Sequence, residues 1–418
     1  MHIGGYDNKY ILRRIFMKKF LALCLSVLMC ASLVACGSGD NNSKATGEKK
    51  KVTLKVWGAQ EEQELLGKLV EDFKKANPDK EYTIELGVVS EADAKTKVLE
   101  DTAAAADVFA FANDQLNDLV KAGALYEITK NKDEIVSANS PSSIDAASKD
   151  GVLYGYPMTA DNGYFLYYDK SVITADDAKS FEKMLEVSAA KDKKVVMDVS
   201  NGWYIASFFL GAGGKLELSK DGKQICDFNN DNGVLAGESI KNITASKGFM
   251  TGDDDVIKGG FGKKIAAAVT GAWNAKDIKA ILGDNYAATK LPTFKLGDKD
   301  VQMSSFAGCK VVGVNTETKA PVDAMALAEF ITNEKAQIER FEKRGLGPSN
   351  IKAASSDAVK ADIALSALAE QSKYAYSQNN VSGSYWAPAE AFGTAMEAKD
   401  YSKTVKQQLD AMVAQITK

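Results

Sequence analysis

The stretch VTLKVWGAQEEQELLGKLVEDFKKANPDKEYTIEL, from Val52 to Leu86, predicts the fold class of this chain. It begins with a strand candidate, VTLKVW, and then places Leu65, Leu69 and Phe73 at the spacing of one helix face. Asn77-Pro78 ends the helix, and alternating apolar residues indicate a second strand. A strand, a helix and a strand in this order are typical of a parallel β-α-β unit.

The same alternation extends over most of the sequence that follows. Helical patterns over 92–106 and 113–122 flank a short apolar strand over 107–111. Gly155-Tyr156-Pro157 interrupts the pattern, a second series of strands and helices follows, and from Pro321 onward almost every segment has helical periodicity. We therefore predict an α/β protein with two similar lobes and a helical C-terminal tail that packs across them.

The segment Met17–Cys36, MKKFLALCLSVLMCASLVAC, indicates a secretory signal. Two lysines precede an uncharged apolar run that is shorter than a typical membrane-spanning helix and ends in small residues. Its last four residues, LVAC, resemble the lipobox of bacterial lipoproteins, which implies cleavage before Cys36 and lipidation of that cysteine. Residues 1–35 are then an upstream extension and signal peptide, and 36–51 are the lipidated cysteine and a flexible polar tether.

Composition argues against several classes of function. The chain carries 52 Lys and Arg against 56 Asp and Glu, and without residues 1–35 its formal charge is −8. An acidic chain is poorly suited to nucleic acid, whose phosphates attract basic residues. The single histidine, His2, lies in the predicted leader, so we expect no Ser-His-Asp triad, no His-containing metal site and no cofactor.

Cys226 and Cys309 are expected to be buried free thiols, with a disulfide between them as the alternative.

Four segments together resemble extracellular solute-binding proteins of ABC transporters. They are Val52–Leu86, Asp107–Ile128, Gly151–Ile173 and Phe261–Lys295, and the last of them points to the maltose and maltodextrin-binding branch. This resemblance implies a two-lobed fold of the type II periplasmic binding proteins. In that fold, hinges connect the lobes and the lobes close on a ligand in the cleft between them.

The resemblance also implies a function and a set of partners. The ligand would be an oligosaccharide, most typically maltose or another α-glucan, which the protein delivers to the permease of an ABC importer. Such a chain is a binding protein and not an enzyme, works as a monomer outside the cell, and is held to the outer face of the membrane by the lipid on Cys36. The implied lobes are residues 52–159 with 308–362 and residues 160–307 with 363–418.

A sugar site needs two kinds of side chain. Aromatic rings cover the C–H faces of a pyranose, and carboxylates and amides hydrogen-bond to its hydroxyls. Among the aromatic candidates Trp273, which follows a strand and opens a helix, is the strongest, and Trp386 is preferred over Tyr385. With the positions that match ligand contacts of the resembled family, the candidate residues are Glu62, Phe111, Asp114, Asp161, Asn201, Trp203, Tyr204, Trp273, Tyr385 and Trp386.

Several of these candidates have a structural alternative. Asp114 is suited to the first turn of a helix as well as to a ligand, and its neighbour is Gln115 where the family typically has Arg. Phe111 and Tyr204 are also suited to a hydrophobic core. Glu62 is chosen from three polar residues at the start of the first helix.

Other functions fit parts of the sequence. A glycoside hydrolase would need two carboxylates about 5–10 Å apart, and acids are plentiful. A sensor or adhesin would use exposed aromatic residues to bind protein. A ferric-ion-binding protein would use adjacent tyrosines, and Tyr167-Tyr168 is such a pair. Because this pair lies in a predicted strand, we expect one tyrosine to point into the core and the other to point away from it.

Overall fold

A β-α-β unit opens the fold, as the sequence predicts. Strands β1 (Lys50–Gly58) and β2 (Lys80–Val88) pair in parallel, and helix α1 (Gln63–Ala76) connects them. The predicted apolar stripe of α1 is buried, with Leu65 and Phe73 each only 1% exposed. Most of the stability of such a helix comes from burying this stripe rather than from helix propensity.

The structure is a computed structural model that describes residues 49–219 and 221–418. The predicted signal peptide, Cys36 and nearly all of the predicted tether lie outside the described residues. In the part that is described, no helix has the length and apolar character needed to cross a membrane. The further strands are β3 (Val108–Ala112), β4 (Ser148–Lys149), β5 (Val152–Leu153), β6 (Tyr156–Asp169), β7 (Lys194–Val196), β8 (Leu216–Leu218), β9 (Gln224–Cys226), β10 (Phe249–Met250), β11 (Ile265–Gly271), β12 (Tyr286–Thr289), β13 (Thr293–Leu296), β14 (Lys299–Gln302), β15 (Ser305–Val314) and β16 (Ala375–Ser377). The further α-helices are α2 (Ala94–Glu100), α3 (Leu116–Lys121), α4 (Lys132–Ala138), α5 (Pro141–Ala146), α6 (Phe181–Ala190), α7 (Gly202–Gly211), α8 (Asp231–Ala245), α9 (Asp254–Gly260), α10 (Ala275–Leu282), α11 (Pro321–Phe330), α12 (Glu334–Arg344), α13 (Ile351–Ala354), α14 (Asp357–Lys360), α15 (Ile363–Gln371), α16 (Trp386–Glu397) and α17 (Val405–Ile416).

One ten-stranded sheet runs through the described part of the chain. Its order is β10-β7-β11-β6-β15-β3-β1-β2, with β12 also paired to β6 and β16 to β15. The pairs at both ends are parallel, whereas β6 and β15 in the middle run antiparallel to each other. The predicted α/β alternation therefore gives two parallel regions, and an antiparallel pair joins them.

Strands β6 and β15 connect two apolar cores. The N-terminal core contains Tyr156 of β6, Val311 of β15 and residues of helices α1 and α11. The C-terminal core contains Tyr164 of β6, Phe306 of β15 and residues of helices α7, α8 and α16. Each of the two strands passes from one core into the other, which is where a hinge between two lobes would lie.

The predicted interruption at Gly155-Tyr156-Pro157 is confirmed at Gly155, which lies in a bend, but it is wrong for Tyr156 and Pro157. Strand β6 begins at Tyr156 and continues through Pro157. Pro157 lies opposite Val311 of β15 at a point where the register shifts. Proline has no N–H to donate to a regular ladder, and such an irregularity is one of the places where a sheet accommodates it.

Tyr167 and Tyr168 are both buried, at 0% and 7% exposure, which corrects the expectation that one of them points away from the core. Their side chains alternate as a strand requires. The sheet is covered on both faces, so Tyr168 packs in the C-terminal core and Tyr167 packs in a third cluster with Phe165 and Ile278.

Two predicted helices are shorter or divided in the structure. The helix predicted over 92–106 covers only α2, because the Asp101 carboxylate accepts hydrogen bonds from the backbone N–H groups two and three residues later, both at 3.1 Å. Such a local turn competes with helix continuation. After Pro321, where the sequence predicts helix almost throughout, one helical stretch is divided into α14 and α15, and Asp362 caps the second by accepting the Leu365 N–H at 2.9 Å.

Cys226 and Cys309 are buried free thiols, so this prediction is confirmed. Burial raises the pKa of the Cys226 thiol to about 12 and that of Cys309 to about 11. Neither thiol is therefore a reactive thiolate at neutral pH.

Candidate ligand-binding site

Two tryptophans lie side by side next to the C-terminal core. Trp203 is in the first turn of α7, where the Asn201 side chain accepts the Trp203 N–H at 2.9 Å and caps the helix. Trp273 follows β11 in a short 3-10 turn, Ala272–Asn274. The two ring centroids are 5.9 Å apart with the rings inclined at 36°, and both side chains are half-buried. Together they form a partly exposed aromatic surface.

Neighbouring side chains hold the Trp273 indole in place. Its Nε1–H donates to Asp254 Oδ2 at 2.7 Å, and Asp254 Oδ1 accepts the Thr270 hydroxyl at 2.8 Å. Gly271 precedes this turn, and a Cβ there would collide with the Trp273 ring. Contacts within the protein therefore orient the ring, which reduces the ordering cost of binding.

Gln378 joins the aromatic pair to the other side of the site. It is 4% exposed and lies in a 3-10 turn, Gln378–Asn380. Its Oε1 accepts the Trp203 Nε1–H at 3.1 Å and the Asn162 amide at 3.2 Å, while its Nε2 donates to Asp114 Oδ1 at 2.6 Å. Sequence reasoning missed Gln378, because a single glutamine in a polar loop gives no periodic or motif signal.

Asp114 lies in the 3-10 turn Asn113–Gln115 that follows β3 of the N-terminal core. Desolvation raises the pKa of its carboxyl group to about 6, although the hydrogen bond from Gln378 and the charge of Lys95 favour the ionised form. Asp114 is a first-turn acid, as one of the two interpretations has it, and it also accepts a hydrogen bond from the Gln378 amide that holds Trp203. Its contact with a ligand stays a prediction.

Asp161 is almost completely buried on β6, at 1% exposure. Its Oδ2 accepts the Gly347 N–H at 2.7 Å, and burial raises the pKa of its carboxyl group against the opposing effect of Lys310. The Lys310 ammonium in turn lies over the Trp273 ring, 5.2 Å from its centroid. Lys310, which the sequence analysis did not single out, thus stands between Asp161 and Trp273.

Glu62 has a different environment from the one we expected. It is 3% exposed and forms ion pairs with Arg340 and Arg344 of α12, each at 2.7 Å. Burial raises the pKa of this carboxyl group, but the two guanidinium groups outweigh burial and hold the pKa below its usual value. Of the polar residues at this turn it is Glu61 that lines the cavity described below, so the structure favours Glu61 over Glu62 as a ligand contact.

The other aromatic candidates differ in exposure. Phe111 is fully buried in the N-terminal core, and Tyr385 is fully buried with its hydroxyl donating to the Gly202 carbonyl at 2.8 Å. Both therefore take the packing role. Trp386 is half-buried with its ring 5.1 Å from that of Tyr385, and Tyr204, 8% exposed, packs 5.1 Å from the Trp203 ring.

A cavity of about 330 Å³ lies beside the aromatic pair. Most of its polar lining is acidic, and its size is at the lower end of the range for small-molecule sites. One wall belongs to the turn after β1 and the other to elements around the C-terminal core. The lining residues are Glu61, Asp198, Asn201, Tyr204, Gly252, Asp253, Asp254, Asp255, Ile257, Lys258 and Val269.

Tyr167 and Tyr168 do not form an ion-binding pair. The Tyr167 hydroxyl donates to the Gly271 carbonyl at 3.1 Å, and Tyr168 packs on the opposite face of the sheet. Two phenol oxygens on opposite faces cannot coordinate one ion.

Comparison with known proteins gives relatives over almost the whole described chain. The galactooligosaccharide-binding protein of Bacillus subtilis (strain 168) is 28% identical over 403 residues, which cover 89% of this chain and 92% of that protein. A structure solved with acarbose is 32% identical, has a TM-score of 0.80, and covers 88% of this chain and 99% of its own. A maltodextrin-binding protein of L. casei BL23, solved without ligand, is 28% identical with a TM-score of 0.73 and covers 88% and 99% of the two chains.

These structural neighbours confirm the predicted fold class, the two-lobed type II fold of solute-binding proteins. A family model described as bacterial extracellular solute-binding protein matches residues 68–367, which is more than half of the chain. The resemblance found in the sequence is thereby confirmed: this chain belongs to the family of bacterial extracellular solute-binding proteins.

Proposed function

We propose that this chain binds a neutral oligosaccharide, with an α-glucan such as maltotriose as the first candidate, and delivers it to an ABC importer. The observation that carries the proposal is the indole pair of Trp203 and Trp273, whose N–H groups are held by Gln378 and Asp254. A fixed, partly exposed aromatic surface beside carboxylates and amides suits a sugar, which presents both C–H faces and hydroxyls.

The relatives support a saccharide as the ligand class. One is named for galactooligosaccharide, one for maltodextrin, and one was solved with acarbose. All three are saccharides of more than one ring, but they differ in linkage and in charge. A galactooligosaccharide is therefore the second candidate ligand, and a binding screen has to include all three compounds.

We place the ligand between two lobes, residues 52–159 with 308–362 and residues 160–307 with 363–418. The proposed contacts are drawn from both of them.

The family consists of binding proteins of the cell exterior rather than enzymes, and delivery to a permease is the role that this membership supports. We further propose that the chain acts as a monomer and that lipid on Cys36 holds it to the outer face of the membrane. The proposed ligand contacts are Glu61, Asp114, Asp161, Asn201, Trp203, Tyr204, Trp273 and Trp386.

Titration calorimetry of the purified chain tests this proposal with maltotriose, acarbose and a galactooligosaccharide. Trp273→Ala should weaken binding by about 2–4 kcal/mol, as expected for truncation of an aromatic anchor. Its melting temperature should change little, because the indole is half-buried. Trp57→Phe is the matched control, since Trp57 packs against the N-terminal core.

Three results would contradict the proposal. The wild-type chain could bind none of the three saccharides, or Trp273→Ala could lower the melting temperature strongly without changing affinity. The third is the appearance of shorter sugars during a long incubation, which would indicate a glycoside hydrolase.

A further inference from the structure

Four polar side chains meet on the side of the site that is formed by the hinge strands. Thr159 and Asp161 are on β6, Lys310 is on β15, and Glu91 is in the loop after β2. We call them the hinge-strand cluster. None of them is more than 8% exposed.

The sheet register explains why they meet. Lys310 and Thr159 are directly paired in the antiparallel ladder of β15 and β6, so their side chains leave the same face of the sheet. Asp161 is two residues beyond Thr159 and shares that face, while Ala160 between them is exposed on the other. The Lys310 ammonium extends over the ring of Trp273, at 5.2 Å from its centroid.

The hydrogen-bonding capacity of this cluster is largely unused. The Lys310 ammonium has Glu91 Oε2 at 3.8 Å, and among the described residues it makes no hydrogen bond. Glu91 Oε1, Thr159 Oγ1 and Asp161 Oδ1 are buried without a hydrogen bond of good geometry, and they are three of only six such side-chain atoms in the described part of the chain. The Thr159 hydroxyl does lie near enough to the Asp161 carboxylate to favour its ionised form, so these two groups satisfy each other only in part. Buried polar atoms without partners are costly, so this concentration indicates that another molecule supplies the partners.

The charges identify the chemistry of that molecule. Two carboxylates and one ammonium leave the cluster with an excess of negative charge, which disfavours an anion. A hydroxyl both donates to a carboxylate and accepts from an ammonium. Adjacent hydroxyls on one sugar ring would satisfy these groups while a C–H face of the same molecule lies near Trp273.

We infer that Glu91, Thr159, Asp161 and Lys310 form a subsite for adjacent hydroxyl groups of a neutral sugar, in which Lys310 determines specificity. Lys310 donates to a hydroxyl oxygen, and Asp161 Oδ1 and Glu91 Oε1 accept from the hydroxyl hydrogens. The inference depends on the proposed function, since it names the part of the ligand that the hinge strands recognise.

The experiment compares affinities for maltotriose in the wild-type chain and in Lys310→Met. A hydrogen bond from a charged donor is expected to contribute about tenfold to a hundredfold in affinity. Lys310→Met leaves two buried carboxylates without their cation, so the double variant Lys310→Met/Glu91→Gln is measured as well. Thr159→Val removes one hydroxyl without changing charge. Lys335→Met is the matched control, because that side chain is 72% exposed.

A series of monodeoxy analogues of maltose separates ligand binding from a purely structural role. The wild-type chain should bind at least one analogue about tenfold more weakly than maltose, and Lys310→Met should no longer distinguish the two. Unchanged affinity for maltotriose in folded Lys310→Met and in the double variant would overturn the inference, and would mean that water satisfies the cluster. If the wild-type chain binds no saccharide at all, the proposed function fails, and the subsite fails with it.

Discussion

Asp114 places an ionisable carboxyl group where charge is disfavoured. Desolvation raises its pKa in the folded chain to about 6, from an ordinary value of 3.8. Between these two pH values the folded chain holds a proton that the unfolded chain has released. The free energy of unfolding therefore falls as pH rises through this window, by at most about 3 kcal/mol from this group.

Asp114→Asn tests this effect. An asparagine is neutral at every pH and can still accept the hydrogen bond that Gln378 Nε2 donates at 2.6 Å. We expect the variant to be more stable than the wild-type chain at pH 7 and equally stable below about pH 4. Denaturant titrations of both chains between pH 4 and pH 8 measure the difference. A constant difference over the whole range would show that the carboxyl group is not perturbed, and Asp176→Asn, whose side chain is 90% exposed, is the control.

Glu62 shows how burial and ion pairing together determine the role of one acid. It holds Arg340 and Arg344 of α12 against the turn that precedes α1, so it joins two elements of the same lobe. We predict that Glu62→Gln lowers the free energy of unfolding by about 3–5 kcal/mol, because it leaves the buried Arg340 and the partly buried Arg344 without a counter-charge.

Chemical denaturation measures this change. The matched control is Glu64→Gln, which removes an exposed partner of Lys343 and should cost no more than about 1 kcal/mol. Affinity for maltotriose measured well below the melting temperature should stay nearly unchanged in both variants. A large loss of affinity in Glu62→Gln without loss of stability would instead indicate that Glu62 contacts the ligand.

At the scale of elements, the strands and helices with a clear apolar period were predictable. The β-α-β unit followed from Leu65, Leu69 and Phe73, because their burial face is determined locally. The contacts of Glu62 and Gln378 were not predictable in this way. Arg340 is 278 residues from Glu62, and Asp114 is 264 residues from Gln378. A periodic pattern contains no information about such distant partners.

The turn Gln378–Asn380 is an element that reaches both sides of the site. Its amide groups contact Asp114 and Asn113 after β3, and Trp203 at the start of α7. Gln378→Leu keeps the approximate volume but removes the donor to Asp114 and the acceptor of Trp203. We expect a loss of about 1–3 kcal/mol in stability, because buried polar groups lose their partners.

We also expect Gln378→Leu to weaken saccharide binding, since the Trp203 indole is no longer held. Tryptophan fluorescence in the presence of maltotriose reports both the environment of the ring and the affinity. Gln378→Glu is the informative partner variant, because it keeps an acceptor for Trp203 but places a second carboxyl group against Asp114. Equal affinity in all three chains would show that Gln378 has no part in positioning the ring.

For the whole molecule, the decisive feature is that β6 and β15 pass through both cores. Tyr156 and Val311 lie in the N-terminal core, and Tyr164 and Phe306 lie in the C-terminal core. The ladder between the two strands has register shifts around Lys310. Irregular pairing between two regular cores permits bending there while each core keeps its packing.

We therefore predict that a bound saccharide brings the two lobes closer together. Small-angle scattering of the wild-type chain should give a smaller radius of gyration at saturating maltotriose than without sugar. The same sugar concentration added to Trp273→Ala should produce less compaction, because the variant binds more weakly and is not saturated. Glucose at equal concentration is the control for solvent effects on the scattering. Identical curves with and without maltotriose, at concentrations where calorimetry shows saturation, would mean that the ligand binds without closure and that the irregular strands β6 and β15 do not act as a hinge.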